Sequence, residues 1–282
     1  MSITLDLESL VSDLTMLQER EAVIKELRAL TVKDLKISLP NQLDMRELVR
    51  IYRRYMPTDS NIFTLPDRVI FCKNLITQVN IPIEQLIFKK TSPDNIDNIA
   101  YVKNQYSDTA LSNFRKHIGI RNDRAFRSFN EMCDDIETNI YDDCVIPLEN
   151  TANGKLMNFY SIIDRFDLKI AITCDVENQN GDQSTRYALL RRTVSIPQSA
   201  DNCCFEFSFI ATDSFGIKDA LDLAKLVDLD LHRIDSMPLR YNESAFIYYP
   251  MLYGSKQNIL LFLFFLKLNL IQYNMIGIYD RI

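Results

Sequence analysis

Three side chains with different hydrogen-bonding abilities stand together in IPLENTANGKL (146–156): the Glu149 carboxylate, the Asn150 amide and the Thr151 hydroxyl. An apolar run, DDCVIPL, leads into them, and the pattern predicts a helix from Gly154 onward. Strand-to-helix turns are where α/β proteins place polar groups that meet ligands. Asn and Thr at such a turn are also common helix caps. A hydroxyl and a guanidinium, Thr185 and Arg186, lie in STRYALLRR. Read alone, that stretch is a strand in which Thr185 serves β-propensity and Arg186 faces water. Arg46, Arg50, Arg53 and Arg54 could meet phosphates or acidic ligands, or form a solvated, salt-bridged helix face. Other chemistries lack their residues. Six cysteines form no CxxC pair, and the two histidines, His117 and His232, stand apart. No metal and no cofactor is expected. Most of the thiols lie in or beside apolar runs, as buried reduced cysteines of a cytoplasmic protein do.

The elements that must hold these residues fall into three segments. Residues 1–96 read as helical. Leu7, Leu10, Leu14 and Leu17, then Ile24, Leu27 and Leu30, recur at helical spacing on one amphipathic stripe, which Pro40 breaks. Asp44 is placed to cap a second helix, DMRELVRIYRRYM, and VIFCKNLI and IEQLIF suggest shorter ones. SPDNIDN (92–98) is polar, contains proline and reads as a linker. Residues 97–202 alternate strand and helix: IAYV, SDTALSNFRKHI capped by Ser107, RAFRSF, NEMCDDIET, CVIPL, then GKLMNFYSIIDRF. LKIAITCDVE and STRYALLRRTV then flank Asn180-Gly181, a strong hairpin signal. Residues 203–282 give the order βαββαβ, the pattern of a ferredoxin-like sandwich.

The formal charge of −6 argues against a basic field over the whole chain, so no nucleic-acid partner is expected. The N-terminus has neither a basic nor an apolar signal region. The most apolar run, Ile259 to Leu266, is far shorter than the ~20 residues that span a bilayer, so no membrane insertion is expected. The reading is a cytoplasmic globular protein.

At IPLENTANG the chain resembles the prephenate dehydratase family. That family carries Pro-(Ile/Leu)-Glu-Asn-(Ser/Thr)-x-x-Gly between a strand and a helix, matched by Pro147, Leu148, Glu149, Asn150, Thr151 and Gly154. Thr185-Arg186-Tyr187 is similar to its Thr-Arg-Phe, and residues 203–282 resemble its ACT regulatory domain. Asp235-Ser236-Met237-Pro238 stands where that domain has Glu-Ser-Arg-Pro. The likeness covers roughly residues 97–282. Two departures accompany it. The family's glycine-rich first loop is replaced by Lys103-Asn104-Gln105-Tyr106-Ser107, keeping only Tyr106 and Ser107. Only residues 155–184 separate Gly154 from Thr185, too few for the family's second lobe, which normally closes the cleft.

The resemblance implies a helical N-terminal region (1–96), a one-lobed α/β dehydratase-like domain (97–202) and an ACT-like domain (203–282). Prephenate dehydration expels CO2 and a ring hydroxyl together, so a site must fix two carboxylates, exclude water and aid the leaving oxygen. By resemblance, Thr185 supplies the catalytic hydroxyl, while Asn150, Thr151, Ser107 and Arg186 hold substrate. An effector site would lie on Asp213, Ser214 and Gly216, before a helix whose N-terminus favours a carboxylate, with Asp235 and Ser236 beside it. The implied function lies in aromatic amino acid biosynthesis. With a half-cleft open to water, the reading favours a degenerate, ligand-binding or regulatory form that takes a small aromatic or carboxylate ligand. A homodimer through the ACT-like domain is expected. The alternatives are an active dehydratase, its cleft completed by the N-terminal region or a second chain, and a dimeric assembly module without a ligand.

Overall fold

The computed structural model of the chain describes residues 14–23, 26, 35–37, 39–40, 43–57, 63–79, 81–88, 95–138, 140–141, 143–197, 202–239 and 242–282. Two units divide it, residues 1–83 and 84–282.

In the first unit, residues 14–23 are helical. The stripe from Leu7 to Leu30 lies mostly outside the described residues, and its members Leu14 and Leu17 are exposed. Helix α1 (Met45–Tyr55) starts where Asp44 accepts from the Glu47 amide, and buries Leu48, Ile51 and Tyr52. Helix α2 (Leu65–Gln78) opens with a capping box between Thr64 and Asp67. Its Phe71 meets Tyr52 edge to face at 5.8 Å. Arg46, Arg50, Arg53 and Arg54 are all exposed, and Arg50 pairs with Glu47 at 3.0 Å, one turn away. They form a solvated helix face.

Beyond the short helix α3 (Ile83–Ile87), the second unit is built on one mixed sheet. Its strands are β1 (Asn95–Val102), β2 (Gly119–Phe126), β3 (Asp143–Asn150), the two-residue β4 (Gly154–Lys155), β5 (Lys169–Glu177), β6 (Ser184–Arg191), β7 (Cys203–Ile210), β8 (Asp230–Leu239), β9 (Asn242–Gly254) and β10 (Asn274–Arg281). The spatial order is β2-β1-β3-β6-β5-β10-β7-β9-β8, with β4 folded back on β3. Helices α4 (Gln105–Arg115), α5 (Phe129–Glu137), α6 (Met157–Phe166), α7 (Ile217–Leu226) and α8 (Lys256–Leu268) complete it. The expected mixed α/β class is found. The final four strands run β10-β7-β9-β8, the antiparallel order of a ferredoxin-like βαββαβ unit.

The seam between the halves is a parallel pairing of β5 with β10. Gly277 lies at its register shift, and a Cβ there would fall 2.5 Å from the Ile170 carbonyl oxygen. Sheet and core therefore both run across residues 202 and 203. One cluster joins Leu148, Tyr160, Ile163 and Ile170 to Cys204, Tyr249, Met251 and Ile276. On the other face, α4 sets Leu111 and Phe114 against Ile99, Val145 and Leu189. Helix α8 is buried nearly all round, and its Phe262 packs on Phe205 and Phe207.

Three local expectations are corrected. The polar NIDN, read as linker, is the first half of β1, in register with Gly119–Asn122 of β2. β2 is an edge strand with most of its residues exposed, so the polar positions of β1 beside it need no apolar cover. Helix α4 is capped by Asn104, with Ser107 at the third helical position completing a capping box. Gly154-Lys155, read as the start of a helix, forms β4. Gly154 takes φ +68°, which glycine adopts without strain, and α6 begins only at Met157.

Candidate functional site

Strands β3 and β6 lie antiparallel, which sets Asn150 directly opposite Thr185 and Glu149 opposite Arg186. The register slips between Pro147 and Glu149, a bulge that re-aims the side chains beyond it. The Asn150 amide donates to the Thr185 hydroxyl at 2.8 Å, and its carbonyl oxygen accepts from the Ala152 amide at 2.8 Å. Asn150 thus braces its own turn instead of capping α6, whose start has no side-chain cap. Thr151 ties the same turn to β6, accepting from the Ser184 amide at 3.0 Å. Four predicted residues, Asn150, Thr151, Thr185 and Arg186, are therefore adjacent, and their end of the sheet is partly open to solvent.

Below this polar end runs a chain of alternating charges. Arg186 reaches Glu149 at 2.7 Å and Asp175 at 3.1 Å. Asp175 also accepts from the Arg281 Nε at 2.8 Å. Glu149 accepts from Arg233 at 2.5 Å, and Arg233 donates in turn to Asp235 at 2.9 Å. Lys155 lies 3.3 Å from both Asp235 and Glu206. Glu206 is fully buried and accepts from the Tyr160 hydroxyl at 3.2 and 3.1 Å. The Lys155 ammonium also sits 3.9 Å above the Tyr160 ring. The four cations Arg281, Arg186, Arg233 and Lys155 balance the four anions Asp175, Glu149, Asp235 and Glu206. Burial lowers the tendency of Arg186 to hold its proton, and Asp175 and Glu149 more than reverse that. Tyr160 is pushed well above the usual phenol range, first by burial and then by the charge of Glu206. Burial likewise holds Cys204 up, to about 12.

The remaining predicted residues fall elsewhere. The Ser107 hydroxyl is buried in its own turn, donating to the Val102 carbonyl at 2.5 Å and accepting from the Asn104 amide at 3.0 Å. It does not meet the Asn150–Thr185 pair. In the loop before α7, Asp213 and Ser214 are exposed. The Gly216 amide, expected to meet a ligand carboxylate, already donates to Asp219 at 2.8 Å. Ser236 is exposed on β8, and Phe209, near the loop's start, lies across β9 from it: both flank Tyr248. The expected effector residues thus share one end of the sheet, separated by a strand. Asp235 points instead into the charge chain.

Sequence reasoning passed over Lys155, Tyr160, Asp175, Glu206, Arg233 and Arg281. One signal was visible: Glu206 is the lone charge in the apolar strand CCFEFSFI, and a charge so placed needs a buried partner.

No family model matches the sequence, and no curated protein does. Among solved structures, a prephenate dehydratase from Streptococcus mutans matches with a TM-score of 0.53 at 16% identity, over 66% of this chain and 98% of that one. The prephenate dehydratase of Arthrobacter aurescens, solved with L-Phe, gives 0.48 at 12% identity over 65% and 90%. GqqA, described as a quorum-quenching acylase, gives 0.48 at 17% identity over 64% and 94%. At these identities the likeness is one of fold, and of these three only the first has a TM-score above one half. The chain carries a dehydratase-like α/β fold with a βαββαβ C-terminal half.

Proposed function

We propose that this chain is a ligand-binding or regulatory relative of prephenate dehydratase that takes a small aromatic or carboxylate ligand and does not dehydrate prephenate. One observation carries this reading. Arg186, which follows Thr185 in β6, is clamped between Glu149 and Asp175 at 2.7 and 3.1 Å. Prephenate bears two carboxylates, and a cation already neutralised on both sides offers little to either. Residues 155–184 supply β4, α6 and β5, which belong to the same sheet and its cover and leave the Asn150–Thr185 end partly open. Open water weakens any electrostatic help to a leaving hydroxide. The C-terminal half serves as an ACT-like sensor and joins two chains into a dimer. There a ligand carboxylate would displace Asp219 from the Gly216 amide.

The Asn150–Thr185 hydrogen bond supports a second reading, an active dehydratase in which Thr185 is catalytic and a second chain or the N-terminal region closes the site. Conversion of prephenate to phenylpyruvate separates the two. The first reading expects no turnover, together with heat on titrating phenylalanine, tyrosine or tryptophan. Turnover that Thr185→Ala abolishes establishes the second. Absence of heat and of thermal shift with all three amino acids rejects the sensor. A monomer by light scattering at micromolar concentration rejects the dimer.

A further inference from the structure

Asn150 and Thr185 can meet only if β3 beyond its bulge keeps its position against β6. Two residues at that point, Glu149 and Arg186, face each other and are held from outside. Arg186 is fixed by Asp175 on the neighbouring β5. Glu149 is fixed by Arg233, which comes from β8 in the C-terminal half, 84 residues further along the chain. Arg233 is anchored to its own strand by Asp235. Glu149 bridges the two guanidinium groups with one oxygen to each, and movement of either arginine re-aims it.

Arg233 also differs from its neighbours in one respect. Its third nitrogen, NH2, is buried with no hydrogen-bond partner among the described residues. A buried donor left unsatisfied is costly, so Arg233 keeps a hydrogen-bonding capacity that its present contacts with Glu149 and Asp235 do not use.

We infer that Arg233 is a positioning residue for the Asn150–Thr185 pair, acting through Glu149. A displacement of β8 would then be felt at that pair. This rests on the reading of the C-terminal half as a sensor and names the contact through which it would act.

The test follows the side-chain amide signals of Asn150 by 15N NMR, assigned by their loss in Asn150→Asp. Arg233→Met should shift these signals, Arg233→Lys should return them part of the way, and Arg121→Met should leave them in place. Arg121 pairs with Asp97 on the far edge of the sheet and serves as the control for loss of an ion pair. Should Arg233→Met not fold, Glu149→Gln gives the same readout, because it keeps the side chain's shape and loses the charge that both arginines grip. Unmoved Asn150 signals in a folded Arg233 or Glu149 variant overturn the inference. If wild-type protein binds phenylalanine or prephenate at the Asn150–Thr185 pair, Arg233→Met should weaken it about tenfold. If the wild type gives neither heat nor thermal shift with phenylalanine, tyrosine and tryptophan, the sensor reading falls, and the Asn150 signals still decide the role of Arg233.

Discussion

Lys155→Met removes the ammonium that, among the described residues, neutralises a fully buried carboxylate. In the wild type, Lys155 lies 3.3 Å from Glu206 and 3.3 Å from Asp235, with its own side chain only 4% exposed. Breaking one side of a buried pair costs about 3–5 kcal/mol, because the remaining charge keeps its desolvation penalty without its attraction. The Tyr160 hydroxyl still donates to both oxygens of Glu206, which places the expected loss near the low end of that range. The ammonium's contact with the Tyr160 ring adds about 1 kcal/mol. The expected total is therefore ~4 kcal/mol. Glu206→Gln alone should cost less, ~1–2 kcal/mol, since Lys155 keeps Asp235. In the double variant no carboxylate is stranded, so the two losses should fall short of additivity by about 2 kcal/mol. Urea unfolding measures all four proteins, reading stability from the midpoint at unchanged slope. A loss below about 1 kcal/mol, or two strictly additive costs, would refute the account of Lys155 as the essential counter-charge.

The seam makes a second prediction: Gly277→Ala forces a Cβ to within 2.5 Å of the Ile170 carbonyl, so melting should show a loss of at least ~2 kcal/mol. Asp44→Ala should cost about 1 kcal/mol through loss of the α1 cap, seen in thermal unfolding. Alkali should destabilise the protein. Burial holds Tyr160, Tyr279, Cys144 and Cys204 protonated in the fold at a pH where they ionise once unfolded. Their folded values are raised, so stability is intact below ~pH 9 and declines as pH climbs past the unfolded values, each group adding up to ~1.4 kcal/mol per pH unit. A melting temperature that stays level from pH 8 to about 10.5 would contradict this burial.

Local pattern carried much of the fold. Alternation in CCFEFSFI, the helical spacing of IKDALDLAKL and the Asn180-Gly181 turn each report a backbone state decided within a few residues. The pairing of β5 with β10 is settled by residues about a hundred positions apart, and nothing in KIAITCDVE or NMIGIYDR announces its partner. Gly154-Lys155 was misread for a related reason. It pairs back on Glu149-Asn150 after the three-residue turn Thr151-Ala152-Asn153, and a two-residue strand is too short to show any period. At the site, the motif marked Asn150 and Thr185 as neighbours, and they touch. The charges around them were hidden, because Arg233 and Lys155 look like ordinary surface residues until the fold sets them against Glu149 and Asp235.

The position of β10 has a bearing on how the chain is made. Of the described strands, β10 is the last to leave the ribosome, yet its place is in the interior, between β5 and β7. The strands before it can assemble only as two separate patches, each with an unsatisfied edge where β10 will insert. During synthesis those edges, on β5 and β7, stand ready to pair with other nascent chains. A holdase that masks them until translation reaches β10 would raise the yield of folded protein more than one acting after release.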